Sequence, residues 1–399
     1  MGSGASSSSS HDREKFPDVP ANCASLAEAN PARFVVEWRE AAEAQIYTAT
    51  FLPATGAVKG AVVMVLGLCD HMHNTDYHNS DGTHHLQPLF LDHGWAVVTY
   101  DTRGHGRTGL ANGDLGVVTV DEKVTDDVAA AVMSAQAKFP AVPIVLAGHS
   151  MGGGHVITLF SEERAEAAAA LSGVILFAPL CQQFPEIVLR SASVIGRLAP
   201  KLRVSDMGAG DMENKDLTKD VADLGLTKAE AEALLRSYNG DGDGFLSRDE
   251  LEKALNGKEL NLGLSPEDLD ATVQKLDSSG DGRVSIDELT TAATIPKDAL
   301  SMRFNEIATV GFFTSMANYL VPRVAKEHAP KITLPVLLIH GEEDAINPSA
   351  AAKEFVEATG GKQTIHIVPG MRHAPFADSD AATHLYPNVS AWLGALLGD

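Results

Sequence analysis

Positive charge, cysteine and long apolar runs are all scarce in this chain, and each scarcity narrows what it is. Against 53 Asp and Glu stand only 31 Lys and Arg, a formal net charge of -22 at pH 7. That balance excludes nucleic acid and anionic lipid as electrostatic partners, because like charges repel a phosphate-rich surface. The three cysteines, Cys23, Cys69 and Cys181, are an odd number without CxxC spacing. They argue against a disulfide framework and a zinc ribbon and point to a reducing, cytoplasmic home. The longest apolar stretch, AAAALSGVILFAPL at 167–180, is too short for a bilayer span, so no transmembrane helix is expected. The amino-terminal MGSGASSSSSHDREK has none of the apolar character of a secretory signal, and its serine run predicts a disordered tail over residues 1–30. That tail does satisfy M-G-x-x-x-[ST] through Met1, Gly2 and Ser6. Gly2 is therefore a candidate for myristoylation and a membrane surface a candidate partner, although one acyl chain gives only weak, reversible peripheral attachment.

What the chain does have is length and apolar content, 399 residues at 44% hydrophobic, ample for one large core with a small insert. Apolar, β-branched runs recur with helix-compatible stretches between them: QIYTATFL, GAVVMVLG, WAVVTYD, VPIVLAG, GVILFAP, LPVLLIHG and QTIHIVPG. Strands that are apolar throughout are buried on both faces, which predicts an α/β fold with a mostly parallel sheet flanked by helices. No comparable run occurs between Pro179 and Leu334. The expected organisation is therefore a core over 31–180 and 331–399, a helical cap over 181–214 and 297–330, and an all-α insert over 215–296. Residues 211–296 hold twenty acidic and nine basic side chains, half of the excess negative charge.

At the end of VPIVLAG stands GHSMGG, residues 148–153. It fits G-x-S-x-G, in which glycines let a strand turn sharply into a helix around a strained serine. Ser150 is the candidate nucleophile. A serine hydroxyl needs a base, and the base an orienting acid. GEEDAINP follows one late strand and MRHAPF the last, so Asp344 and His373 complete the order Ser, Asp, His. Glu342 and Glu343 are neighbouring carboxylates, and Asp344 is preferred on motif position. The oxyanion donors expected are the N–H groups of Met151, directly after the nucleophile, and Leu68, after the GAVVMVLG strand.

GHSMGG, YDTRGHGRT at 100–108, HGEEDAINP at 340–348 and PGMRHAPF at 369–376 stand in an order that resembles the monoacylglycerol lipase branch of the α/β-hydrolases, the serine aminopeptidase S33-like group. The resemblance implies an α/β-hydrolase fold, a cap after FAPL and lipid esters as substrates. Two departures stand out. Leu66-Gly67 replaces the usual His-Gly, and the following loop is long and holds His71, His73, His78, His84 and His85, read as a polar rim rather than a metal site. In the cap, 188–200 and 304–321 have helical spacing, and Phe312, Phe313 and Met316 are either core packing or walls of an acyl pocket.

The insert carries two loops with helix-like flanks that follow the EF-hand template D-x-[DN]-x-[DN]-G-x5-E, whose oxygens surround calcium, with Asn239 at the first position of one and Ser279 at the third position of the other. The first loop offers Asn239, Asp241, Asp243, the Phe245 carbonyl, Ser247 and Glu250; the second offers Asp277, Ser279, Asp281, the Arg283 carbonyl, Ser285 and Glu288. Asn239 removes one charge from the first site, which predicts weaker affinity there. The expected activity is a calcium-binding serine esterase of lipid metabolism, with calcium in the cap as regulator or structural ion. The chemical step needs no cofactor. The rival readings are a calcium-responsive binding protein with an inactive hydrolase body, and a thioesterase, peptidase or acyltransferase using the same serine.

Overall fold

Every apolar run named above is a strand in the computed structural model, which describes residues 34–54, 56–72, 89–181, 236–240, 242, 244–255, 283–285, 310–344, 346–373, 375–376 and 381–398. Eight strands form one sheet: β1 (Phe34–Ala41), β2 (Ala44–Phe51), β3 (Gly60–Val65), β4 (Trp95–Tyr100), β5 (Ile144–His149), β6 (Gly173–Phe177), β9 (Val336–Gly341) and β10 (Gln363–Val368). Their order is β1-β2-β4-β3-β5-β6-β9-β10. The β1–β2 and β2–β4 pairs are antiparallel and all others parallel. β6 and β9 are neighbours although the whole interval 178–335 separates them in sequence, so that interval leaves and re-enters the sheet between adjacent strands.

The continuous apolarity of the central strands has a direct cause. Successive side chains point to opposite faces, and both faces are buried. Val63, Val65, Val98, Leu146, Leu176 and Leu338 pack on one side with Val128, Val132 and Phe355. Val62, Met64, Val97, Val145, Ile175 and Leu337 pack on the other with Val389 and Trp392. The first face is covered by the helix Glu122–Lys138, whose N-cap Asp121 accepts hydrogen bonds from the Lys123 and Val124 N–H groups. The second is covered by Tyr386–Leu397. Phe312 and Met316, on the chain that follows the insert, belong to the first of these cores, with Phe313 partly buried against it. The candidate cap residues 188–200 and 304–309 lie outside the described residues.

Chain contacts divide the molecule into two units, one of Met1–Gly210 with Leu300–Asp399 and one of Asp211–Ala299. Within the second, β7 (Phe245–Leu246) pairs antiparallel with β8 (Val284–Ser285), and the helix Arg248–Leu255 follows β7. Leu246, Leu251 and Val284 are buried there. Among the described residues no helix is long and apolar enough to cross a membrane.

Candidate active site

The elbow is built by what its glycines leave out. A Cβ on Gly148 would stand 2.6 Å from the Gly152 carbonyl oxygen, and one on Gly152 would stand 2.4 Å from the carbonyl oxygens of both Val65 and Leu66. Strand β5 therefore turns directly into the helix Met151–Thr158 with Ser150 at the vertex, at φ 52 and ψ -120. This strained geometry for a non-glycine residue is held by the Ser150 N–H donating to the Phe177 carbonyl at 3.0 Å, and by Leu180 N–H donating to the Ser150 carbonyl at 2.9 Å.

The candidate acid and base arrive from the loops that follow β9 and β10. His373 Nε2 lies 2.9 Å from Ser150 Oγ, and His373 Nδ1 lies 2.8 Å from Asp344 Oδ2. Asp344 Oδ1 accepts from the Ile346 and Asn347 N–H groups, each at 2.8 Å, and the Asn347 side chain ties this loop to the Ala178 carbonyl at 2.9 Å. Burial alone would raise the Asp344 pKa, but the His373 hydrogen bond and charge, the Asn347 N–H and His340 together hold it below the ordinary carboxylate value. His373 moves down as well. Burial disfavours its cation, His149 adds to that, and Asp344 only partly compensates. Glu342 and Glu343 are exposed and stay off this chain of bonds, and His366 lies within β10.

Met151 and the turn that carries Leu68, the expected oxyanion donors, both lie next to the serine. Met151 is the first, buried residue of the elbow helix. Leu68 sits in the turn after β3, where a Cβ on Gly67 would come within 3.4 Å of the Ser150 Cβ. Its two neighbours are already engaged: Gly67 N–H donates to Asp70 Oδ2 at 3.1 Å and Cys69 N–H to His105 Nε2 at 3.3 Å. Cys69 has φ 70, so the turn reverses at that residue and leaves the Leu68 N–H between two anchored ones.

Sequence reasoning missed the residues that hold this turn, namely Asp70, His105 and the elbow residue His149. His149 Nε2 lies 3.1 Å from the His373 carbonyl oxygen, and its Nδ1 lies 3.6 Å from Asp70 Oδ2. Of the histidine-rich loop, His71 is buried, while His73, His78, His84 and His85 lie outside the described residues. Among those described, no three His, Cys, Asp or Glu side chains group as metal ligands.

In the second unit the first candidate calcium loop is partly described. Glu250 Oε1 accepts from Gly240 N–H at 2.9 Å, and Oε2 accepts from the Ser247 N–H at 3.0 Å and its hydroxyl at 2.7 Å. Asn239 Oδ1 accepts from Gly242 N–H at 2.7 Å. Gly244 turns the chain at φ 87. The Glu250 carboxylate thus bridges Gly240 and Ser247, and the candidate ligand side chains described in this loop, Asn239, Ser247 and Glu250, offer oxygen atoms, the kind a hard divalent cation takes. Phe245 pairs with Ser285 across β7–β8, and the Arg283 guanidinium stacks over the Phe245 ring at 4.2 Å. Asp241, Asp243, Asp277, Ser279, Asp281 and Glu288, like Gly2, lie outside the described residues.

A family model described as serine aminopeptidase, S33, matches residues 56–234 and 301–380, and an EF-hand domain pair model matches 228–294. The monoacylglycerol lipase of Mycolicibacterium smegmatis is 30% identical over 152 residues, 38% of this chain and 50% of that one. The mouse (Mus musculus) monoglyceride lipase is 29% identical over 188 residues, 46% of this chain and 56% of that one. The chain thus spans about half the length of the curated relatives it matches. Among solved structures, a soluble variant of monoglyceride lipase from Saccharomyces cerevisiae superposes with TM-score 0.52 at 17% identity, covering 91% of this chain and 96% of that one. A carboxyl esterase from Bacillus coagulans superposes with TM-score 0.53 at 16% identity, covering 91% and 99%. At those identities the likeness is one of fold.

Proposed function

Because the chain belongs to the serine aminopeptidase S33 family, we propose that it is a calcium-binding serine hydrolase that cleaves carboxylic esters of lipids, with monoacylglycerols as the substrate class. The observation that carries this reading is the unbroken line of hydrogen bonds from Ser150 Oγ through His373 to Asp344. With Asp344 accepting from Nδ1–H, Nε2 of His373 is the basic nitrogen and the serine hydroxyl donates to it. Ser150 Oγ attacks the ester carbonyl carbon while its proton passes to Nε2, and Asp344 stabilises the imidazolium that forms. The N–H groups of Met151 and Leu68 receive the developing oxyanion. Nε2–H then protonates the departing alkoxide, so the alcohol leaves and an acyl-serine remains. In the second half a water gives its proton to Nε2 and attacks the acyl carbon; as the carbon–Oγ bond breaks, Nε2–H returns that proton to Ser150 Oγ, and the carboxylic acid is released from the restored enzyme.

The substrate class is supported by the names of the relatives, which are monoglyceride lipases, and calcium by the match to an EF-hand pair. Calcium alters turnover only insofar as it binds the active and inactive arrangements of the chain with different affinity. The test is hydrolysis of short- and long-chain nitrophenyl esters with excess EGTA and with saturating calcium, using Ser150→Ala as blank. Labelling by a fluorophosphonate reports the nucleophile independently. Turnover that disappears with Ser150→Ala supports the reading; unlabelled, inactive protein refutes it. Since the family is named for a peptidase, amino-acid amides and thioesters belong in the same panel, and faster turnover of either displaces the ester assignment. Cytoplasmic, peripheral membrane attachment through Gly2 is tested by incorporation of an alkynyl myristate and its loss in Gly2→Ala.

A further inference from the structure

The elbow residue His149 has surroundings that the relay of Ser150, His373 and Asp344 does not use. Its ring is buried, with one nitrogen facing the His373 carbonyl oxygen at 3.1 Å and the other facing the Asp70 carboxylate at 3.6 Å. Both partners are acceptors. The first lies at hydrogen-bonding distance and the second at ion-pair distance; a neutral imidazole donating to the carbonyl would turn a lone pair toward the carboxylate, whereas the imidazolium presents an N–H to each oxygen. The Asp70 carboxylate in turn accepts from the Gly67 N–H at 3.1 Å. The backbone packs closely on one side of the pair: a Cβ on Gly67 would stand 2.7 Å from Asp70 Oδ2 and 3.2 Å from His149 Nδ1. The His149 ring also packs against His373, with ring centroids 5.2 Å apart, and against Phe376 at 5.4 Å.

We propose that His149 and Asp70 form a buried ion pair that positions the site, His149 holding the main chain of His373 and Asp70 holding the turn of Gly67–Cys69, so that base and oxyanion turn are fixed to one another through the elbow. This rests on the reading of His373 as the general base. The pair also has an electrostatic consequence. A cation 5.2 Å from the His373 ring opposes a second positive charge there and keeps that base deprotonated. The charged and titratable groups facing His149 are Asp70 from the loop after β3, His340 and Asp344 from β9 and its loop, and His373 from the loop after β10. The Asp70 end also acts on His105. Burial works against a charged His149, but the Asp70 carboxylate, followed by the His373 carbonyl and Asp344, outweighs it, so the His149 pKa lies above the ordinary imidazole value. His340 and His373 both feel His149 as a charge that lowers them.

Two measurements on the full chain test this. In the first, histidine-labelled protein is titrated by NMR, with the His149 signal identified by its loss in His149→Gln. His149 is expected to titrate above the ordinary midpoint of about 6.5 and, in Asp70→Asn, below it. A wild-type His149 that titrates below that value overturns the ion pair, whether or not the protein turns over any substrate. In the second, the acid limb of kcat/KM for a short ester is compared across wild type, His149→Gln and Asp70→Asn. His149→Gln keeps a donor to the His373 carbonyl and removes the charge. It is expected to raise the acid-limb midpoint by about one to two pH units, the effect of a unit charge at this separation in an effective dielectric of roughly 20–40. Asp70→Asn removes both charges and is expected to shift it the same way by less, with kcat falling more than KM rises; Asp70→Glu restores part of the loss. A rate lowered by the same factor at every pH, with the limb unmoved, means packing only and overturns the positioning role. Failure of the hydrolase reading is recognised separately, by wild type that is neither labelled by fluorophosphonate nor active.

Discussion

Replacing Asp344 by asparagine tests the acid assignment sharply, because the surrounding hydrogen bonds dictate how the new amide must sit. The Oδ1 position receives two backbone N–H groups, from Ile346 and Asn347, each at 2.8 Å. An amide nitrogen there would face two donors, so the asparagine carbonyl oxygen takes that position. Its NH2 then occupies the place of Oδ2, 2.8 Å from His373 Nδ1. Donating into Nδ1, it makes that nitrogen the acceptor and puts the imidazole proton on Nε2, the nitrogen that must receive the Ser150 proton. The variant holds the geometry and carries the wrong tautomer. A loss in kcat of about 10⁴-fold, roughly 5.5 kcal/mol of transition-state stabilisation, is expected. Steady-state kinetics on a nitrophenyl ester measure it, with a thermal melt to show that the variant is folded. Asp344→Ala leaves the tautomer free and is expected to lose no more than the asparagine variant. An Asp344→Asn protein within tenfold of wild type would refute the argument and return the acid role to Glu342 or Glu343.

Three further outcomes follow from the same geometry. The acid limb of kcat/KM is expected at a midpoint below about 6.5, because burial, followed by His149, pulls His373 down further than Asp344 lifts it. Activity is therefore present above that midpoint and lost as pH falls through it, and a measured midpoint above 7 contradicts this. Gly152→Ala would push a Cβ to within 2.4 Å of two carbonyl oxygens, backbone atoms that cannot step aside cheaply. At about 3 kcal/mol of overpacking its Tm is expected to fall by roughly 3–5 °C for a chain of this size, and an unchanged melting curve refutes the close approach. Glu250→Gln removes the carboxylate that bridges Gly240 and Ser247 in the first loop, and calorimetry is expected to show one calcium site weakened by at least about tenfold; two unaltered sites would remove Glu250 from the ligand set.

The strands were legible because their physics is local. A run such as GAVVMV can be apolar at every position only if both faces are covered, and Val62 and Val63 do lie in cores on opposite sides of β3. β1 escaped for the converse reason. FVVEWREA mixes apolar and charged residues, with Val36 and Trp38 turned toward the core while Val35 and Glu37 are exposed. As an edge strand it pairs only with β2, so half of its side chains need no apolar character and nothing in composition marks it as sheet.

In the site the division runs along the same line. The elbow announces itself because its constraints fall within six consecutive residues, GHSMGG, and the glycines are there to avoid contacts that the turn itself creates. Asp344 is chosen from three adjacent carboxylates by features no spacing reveals. It alone is buried, its Oδ1 is filled by two N–H groups of its own loop, and its Oδ2 is left for His373. The His149–Asp70 pair was illegible for a further reason. Any histidine suits the variable position of G-x-S-x-G, and Asp70 lies in a loop whose departure from the family pattern draws attention to its histidines instead. Only the sheet, by setting β3 beside β5, brings the two side chains together. The Leu66-Gly67 departure is therefore compatible with the proposed oxyanion role of this turn, because its Gly67 and Cys69 N–H groups are held by Asp70 and His105.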